Sequence, residues 1–247
     1  MELIVVGSGK MAKAIIEGAR KLHEITVIAR DEDALKEIEK KYKVKTANLK
    51  SYNIHGKNLI LCVKPYALKD ATSTLMGRAN LVLSVLAGTK IATLKQNIKA
   101  NHYIRVMPNL AASFKKSMTT LCGDEAYKDE AIKICESLGK TLWVGSEKEL
   151  DIATAVAGSG PAFLALVAEA MSDGAVKEGL KREDANLLVK GLFEGFAPLI
   201  QDSHPALIKD GVMSPGGTTA SGYSALEECG VRDGFIKAIT KAYEKTL

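Results

Sequence analysis

From residue 2 to about residue 144, short continuous apolar runs alternate with stretches whose apolar residues return every three or four positions. The runs are ELIVV (2–6), ITVIA (25–29), NLILCV (58–63), NLVLSVL (80–86), HYIRVM (102–107) and KTLWV (140–144). Runs this short with so little polar alternation read as strands covered on both faces. Met11, Ala14, Ile15, Ala19 and Leu22 mark one face of a helix over 10–22. Asp31 stands where it can cap a second helix reaching about Lys41. Strands alternating with helices predict parallel βαβ units with right-handed crossovers, that is, an α/β fold with a doubly wound parallel sheet.

Past residue 146 the strand-like runs stop. Four helical segments follow, at about 147–157, 161–179, 183–200 and 217–244, the last broken near Gly230. The change of pattern sets a boundary between a sheet domain, 1–146, and an all-α domain, 147–247. The helix at 161–179 is apolar nearly all round, with Phe163, Leu164, Leu166, Val167, Ala170 and Val176 on every side. Such a helix must be covered on all faces. A domain of this size can hardly cover it alone, so the expected cover is a second copy in a two-fold dimer, with an internal core position as the alternative. The uncharged stretch 152–168 contains GSGP and falls short of the ~20 residues that span a bilayer, so a buried helix entered through a turn is expected there.

Composition narrows the class without changing this layout. The chain has 247 residues, 47% of them hydrophobic and 26% charged, as in an ordinary soluble protein. The net charge of +5 comes from lysines scattered along the chain, with no basic stretch interleaved with aromatics, so no nucleic-acid partner is expected. Cys62, Cys122, Cys135 and Cys229 show no metal-ligand spacing and read as reduced, mostly buried thiols of a cytoplasmic protein with no metal. The N-terminal MELIVVGSGKMA lacks the basic region of a secretory signal.

The first strand runs into VVGSGKMA, which places Gly7, Gly9 and Ala12 in G-x-G-x-x-A spacing at the opening of a helix. Gly7 permits the tight turn, Gly9 lets a pyrophosphate approach the backbone, and Ala12 lets helix and sheet pack closely. This Rossmann-like signature predicts a dinucleotide site; a purely structural turn is the plainer reading. An acidic residue ending the second strand would favour NAD(H), but Ala29 and Arg30 stand there and favour NADPH, with Asp31 next to them keeping NADH open. CVKP (62–65) and VLAG (85–88) end the next two strands, where loops face the ligand crevice. Lys64, Ala87 and Gly88 therefore join the candidates.

A second unusual stretch is VMSPGGTTASGYSALEE (212–228). Pro215 fixes one φ angle, Gly216 and Gly217 free the next, and Thr218 or Thr219 can cap the helix that follows. Such a turn gathers backbone N–H groups at the positive end of a helix, a receptor for a carboxylate as much as for a phosphate; an ordinary capped loop is the alternative. His23, His55, His102 and His204 have no obvious Ser, Cys or Asp partner. A redox enzyme without a clear general acid suits a C=N substrate, which can arrive protonated, better than a ketone.

At these residues the chain resembles the pyrroline-5-carboxylate reductase family. VMSPGGTTASGYSALE looks like the family signature, with Ser214, Pro215, Gly216, Gly217, Thr218, Thr219, Leu226 and Glu227 in register. AVAGSGPAFL (155–164), RVMPN (105–109) and CVKP are similar too, and the likeness runs nearly the whole chain. After MPN the family commonly continues Thr-Pro, where this chain has Leu110 and Ala111. The resemblance implies reduction of 1-pyrroline-5-carboxylate to L-proline by NADPH, and dimers through the C-terminal helices with further assembly in some members. It implies a substrate carboxylate on Ser214, Gly216, Gly217 and Thr218, and a catalytic Thr219 at the ring nitrogen. For the cofactor it implies Gly7, Ser8, Gly9, Lys10, Met11 and Ala12 at the pyrophosphate and Arg30 and Asn48 at the adenosine end. Cys62, Val63, Lys64 and Pro65 would flank the nicotinamide side.

Two other readings use the same layout. A two-domain hydroxyacid dehydrogenase would need Lys177 or Lys190 as its catalytic lysine, and neither sits in a motif. A non-catalytic NADP-binding sensor would have no use for the anion-binding turn.

Overall fold

The computed structural model describes residues 1–247. By packing, the chain divides into two compact units, Met1–Ser159 with Ala242–Leu247, and Gly160–Lys241.

The first unit is built on one eight-stranded sheet. Its strands are β1 (Glu2–Val6), β2 (Glu24–Ala29), β3 (Lys45–Asn48), β4 (Asn58–Leu61), β5 (Ala79–Ser84), β6 (Ala100–Met107), β7 (Ser117–Gly123) and β8 (Gly139–Trp143), in the order β3-β2-β1-β4-β5-β6-β7-β8. The chain leaves β3 on one side and resumes at β4 on the other side of β1, so β1 and β4 flank the point where the winding reverses. The sheet is not wholly parallel as expected, because β7 runs antiparallel to β6. The chain turns back between them through residues 108–116, and Gly123 ends β7 opposite Ile104. Helices α1 (Lys10–Ala19), α2 (Glu32–Tyr42), α3 (Leu68–Thr72), α4 (Ile91–Asn97) and α5 (Lys128–Glu136) complete the layers.

The strands carry apolar residues on both faces because both are covered. Leu3, Val5, Val27 and Leu83 pack with Ile15, Ile16 and Ile38 of α1 and α2. Ile4, Val6, Leu59, Leu61 and Val82 pack on the opposite face with Leu68, Ala71 and Leu94. Burying a branched aliphatic side chain contributes about 1.5–3 kcal/mol, so these two clusters supply most of what holds the crevice residues in place. Gly18 lets α1 approach closely, since a Cβ there would lie 2.4 Å from the Ala112 carbonyl oxygen.

Helix α6 (Glu147–Ala153) begins at Ser146, whose hydroxyl accepts from the Glu149 amide at 3.2 Å. It passes through a π-helical turn, Thr154–Gly158, into α7 (Gly160–Lys177). Asn109 steadies this turn by donating to the Ala157 carbonyl at 3.0 Å. The GSGP segment therefore does not break the helix as expected; 147–177 is one continuous helical run, long and apolar enough by length and composition to cross a membrane. The packing division falls after Ser159, past the change of sequence pattern at 146, because Leu150 and Asp151 of α6 are buried in the sheet unit.

The second unit contains α7, α8 (Arg182–Asp202), α9 (Pro205–Val212), α10 (Thr218–Glu228) and most of α11 (Val231–Glu244). Gly230, with φ of 69°, separates the last two as expected. Ser172 holds α7 to α8, donating to Asn186 Oδ1 at 2.7 Å and accepting from Arg182 at 2.9 Å. Within one chain α7 is not the buried core helix of the alternative reading: Ser172 is its only buried residue, and Leu164 and Leu166 are 53% and 65% exposed. The neighbouring Leu187, Leu188, Leu207 and Ile236 are exposed as well. So large an apolar surface is what an interaction face presents.

Candidate functional site

A crevice of about 250 Å³ opens at the carboxyl ends of β1, β2 and β4. Gly7, Ser8, Gly9, Arg30, Cys62, Val63 and Lys64 line it. Gly7 has φ of 119°, and a Cβ added there would stand 2.9 Å from the Cys62 carbonyl oxygen. The turn from β1 to α1 is thus closed by direct contact of two backbones. Gly9 differs: it is extended, caps α1 without a side chain, and has open space where a Cβ would point. The first helical bond is Lys13 N–H to the Gly9 carbonyl at 3.0 Å. The amides of Lys10, Met11 and Ala12 are therefore left without intrahelical acceptors, at a helix end with no acidic side chain in its first turn. This cradle fits the pyrophosphate of a dinucleotide.

The remaining candidates stand at the rim of the crevice or around it. Met11 and Ala12 pack against the core beneath. Arg30 is exposed and makes no ion pair, whereas the Asp31 carboxylate beside it is engaged in capping α2, accepting from the Ala34 amide at 2.9 Å. Asn48 closes β3, with Oδ1 accepting from the Lys50 amide at 2.9 Å and Nδ2 reaching Glu32 at 3.4 Å. Pro65 opens a short 3-10 turn after Lys64. Ala87 and Gly88 follow β5, exposed, with Gly88 at φ of 67° against the backbone of Thr246. Burial pushes the Cys62 thiol well above the usual cysteine range, so it serves here as a packed, neutral group.

The 212–228 stretch forms a turn and helix. Gly216 adopts φ of 68°, and the Gly217 amide donates to the Ser214 carbonyl at 2.9 Å. Neither Thr218 nor Thr219 is the cap: Gly217 holds that position with no side-chain bond, and Thr218 is already the first residue of α10. The reason is the open backbone of Gly217, which enters the helix without a side chain; a Cβ there would lie 2.4 Å from Ser214 Oγ. The first α10 bond is Ser221 N–H to the Gly217 carbonyl, so the amides of Thr218, Thr219 and Ala220 have no intrahelical acceptor. Ser214, Gly216, Thr218 and Thr219 are exposed. Behind Thr219 an apolar groove of about 480 Å³ runs along Gly191, Gly195, Phe196 and Val212. Lys177 and Lys190 are exposed and line neither this groove nor the crevice.

Two arrangements were not foreseen. Arg105, in the middle of β6, is completely buried and donates to Asp151 Oδ1 at 2.7 Å and Glu147 Oε1 at 3.1 Å. Lys90 reaches the other Asp151 oxygen at 2.6 Å. A single arginine in an apolar run was the one visible signal, because its partners lie far along the sequence. Second, the expectation that no histidine has an acidic partner is wrong for His102. Its Nδ1 lies 2.6 Å from Asp124 Oδ2, and its ring stacks on Tyr127 at 3.7 Å. Only the reversal between β6 and β7 brings them together. The pair sits where β6 begins, at the sheet edge opposite the crevice, and no histidine lines the crevice.

Comparison with known proteins gives matches in both parts of the chain. Residues 147–247 match the family described as pyrroline-5-carboxylate reductase dimerisation, and residues 2–88 match NADP oxidoreductase coenzyme F420-dependent. The chain is 36% identical to a pyrroline-5-carboxylate reductase of Helicobacter pylori, covering 99% of each chain. It is 35% identical to that of Synechocystis, covering 100% of this chain and 97% of the relative. Among solved structures it resembles 1-pyrroline-5-carboxylate reductase of Streptococcus pyogenes, with a TM-score of 0.89, 28% identity, and coverage of 100% and 98%. It also resembles the Plasmodium falciparum enzyme with NADP bound, with a TM-score of 0.83, 26% identity and the same coverage.

Proposed function

The chain belongs to the pyrroline-5-carboxylate reductase family, and from that premise we propose how its own residues divide the work of the reaction. It is an oxidoreductase that reduces the C=N bond of 1-pyrroline-5-carboxylate to give L-proline with a nicotinamide cofactor. The cofactor, when bound, supplies the hydride.

Gly7 to Ala12 hold the pyrophosphate, and Arg30, free of any acidic partner, meets a 2′-phosphate, which makes NADPH the preferred cofactor and NADH the poorer one. Asn48 lies toward the adenosine end, and Cys62 to Pro65 with Ala87 and Gly88 toward the nicotinamide end. The amides at 218–220, with Ser214, Gly216 and Gly217 shaping the turn, hold the substrate carboxylate at the positive end of α10. Thr219 Oγ1 bonds the ring nitrogen and orients the double bond. The apolar faces of α7, α8 and α11 are covered by a second copy of this chain, which also accounts for a bilayer-length helix in a cytoplasmic enzyme.

One observation carries the substrate assignment: three unpaired amides at one helix start, approached through a left-handed glycine. The test is steady-state oxidation of NADPH and of NADH with pyrroline carboxylate, for the wild type and Thr219→Ala. A hydrogen bond to a charged group contributes about 1.5–3 kcal/mol, so the variant should lose about tenfold to a hundredfold in kcat with cofactor KM little changed. Unchanged turnover removes Thr219 from the site.

A further inference from the structure

We propose that the cluster of buried Arg105 and Asp151 with the partly exposed Glu147 and Lys90 is a clamp on the β5–α4 loop, and that Lys90 is a positioning residue for cofactor binding. This rests on the reading above that Ala87 and Gly88 face the nicotinamide cofactor.

The loop runs from Val85 to Lys90; Val85 and Leu86 root its start in the core, but little backbone hydrogen bonding fixes the stretch that follows. Its one internal backbone hydrogen bond, Thr89 N–H to the Leu86 carbonyl, is long at 3.3 Å. Its far end is fixed from outside. Lys90, the cap position of α4, is held by Asp151 at 2.6 Å, and the next amide, Ile91, donates to Glu147 Oε1 at 2.9 Å. Both carboxylates come from α6, and both are fixed by Arg105. Near its middle, Gly88 rests on Thr246, whose carbonyl oxygen would lie 3.3 Å from an added Cβ.

The energetics point to geometry rather than stability. A buried guanidinium with carboxylate partners adds little over well-packed apolar side chains of the same volume. Arg105 even leaves Nε without a partner. What two cations and two carboxylates in fixed bonds do provide is a rigid reference point. Lys90 is its half-exposed member, with 40% of the side chain accessible. Removing its ammonium leaves Arg105 still paired with both carboxylates and the Ile91 amide still on Glu147, so the core survives while the loop loses one of its two outside anchors. A loop that holds the binding shape only part of the time weakens apparent affinity by that fraction.

The variants are Lys90→Ala, Lys90→Arg and Gly88→Ala in the full-length protein. Readouts are NADPH affinity by nucleotide fluorescence, KM and kcat, thermal midpoint, and hydrogen exchange of amides 85–91 without cofactor. Lys90→Ala should raise NADPH Kd and KM about three- to tenfold, as a competent fraction of roughly 10–30% would. Loop exchange should quicken, while kcat and the midpoint stay near wild type and Lys90→Arg restores affinity. If Gly88→Ala weakens NADPH but Lys90→Ala does not, the clamp is overturned and the cofactor assignment stands. If neither does, the loop is not at the cofactor and both fall. A lowered midpoint that Lys90→Arg leaves unrepaired reduces the cluster to a structural one and also overturns the inference.

Discussion

Gly7 and Gly9 are two residues apart, and the structure assigns them different costs. Gly7→Ala forces a side chain into φ of 119° and 2.9 Å from the Cys62 carbonyl oxygen. Strained backbone of this kind costs about 1–3 kcal/mol, and the backbone contact cannot be relieved by a rotamer change. A loss of about 3 kcal/mol lowers the thermal midpoint of a chain this size by roughly 6–12 °C. Gly9→Ala meets nothing, at a φ of −74° open to any residue. Alanine is the poorer helix cap, by some tenths to about 1 kcal/mol, but it restricts the unfolded chain by about 0.4–1 kcal/mol, so the two effects offset. Its midpoint should therefore stay within a few degrees of wild type. Yet its Cβ projects into the space that a pyrophosphate on the amides of residues 10–12 would occupy, and NADPH affinity should fall at least about tenfold, or ~1.4 kcal/mol. The assay is thermal unfolding without nucleotide beside a fluorescence titration with NADPH. Wild-type affinity in Gly9→Ala would refute the pyrophosphate cradle, and an unshifted midpoint in Gly7→Ala would refute the backbone contact.

Arg30→Ala should weaken NADPH in titration and leave NADH alone; equal losses would end the 2′-phosphate assignment. Asp151→Asn removes a charge from a buried pair and should cost about 3–5 kcal/mol in chemical denaturation, whereas exposed Lys36→Ala should cost under about 1 kcal/mol. Asp124 is held below the usual carboxylate range, first by its hydrogen bond with His102. A lowered folded pKa gives stability that is present above pH ~4 and lost as pH falls through the folded value. Asp124→Asn should therefore flatten the acid limb of a stability-versus-pH curve below pH ~4.

The sheet was legible where burial is symmetric. β1, β2, β4 and β5 are continuous apolar runs because helices cover both faces, and the glycine spacing located the crevice between them. β7 escaped notice because Thr119 and Thr120 are buried in it, and the Thr119 hydroxyl is satisfied by Ser117 at 3.0 Å rather than by apolar packing. β3 is a four-residue edge strand, KTAN, with too little pattern to read. α9 is short and starts after Ser203–His204, where Pro205 takes the first helical position. At the anion-binding turn the residue types were readable but the cap was not, since glycine can occupy that position by conformation alone. The Arg105 cluster and the His102–Asp124 pair depend on contacts made by the fold, which local spacing does not encode.

Residues 242–247 return to the sheet unit, so that unit is made from two stretches of sequence that bracket the helices. On the ribosome all eight strands emerge first, and Thr246 follows only after the whole of 160–241 has been made. At about 5–20 residues per second this delay is roughly 5–20 s. Throughout it a nascent sheet can be folded while the Gly88 turn still lacks its backing, and a fragment ending at Ser159 would stay in that condition permanently.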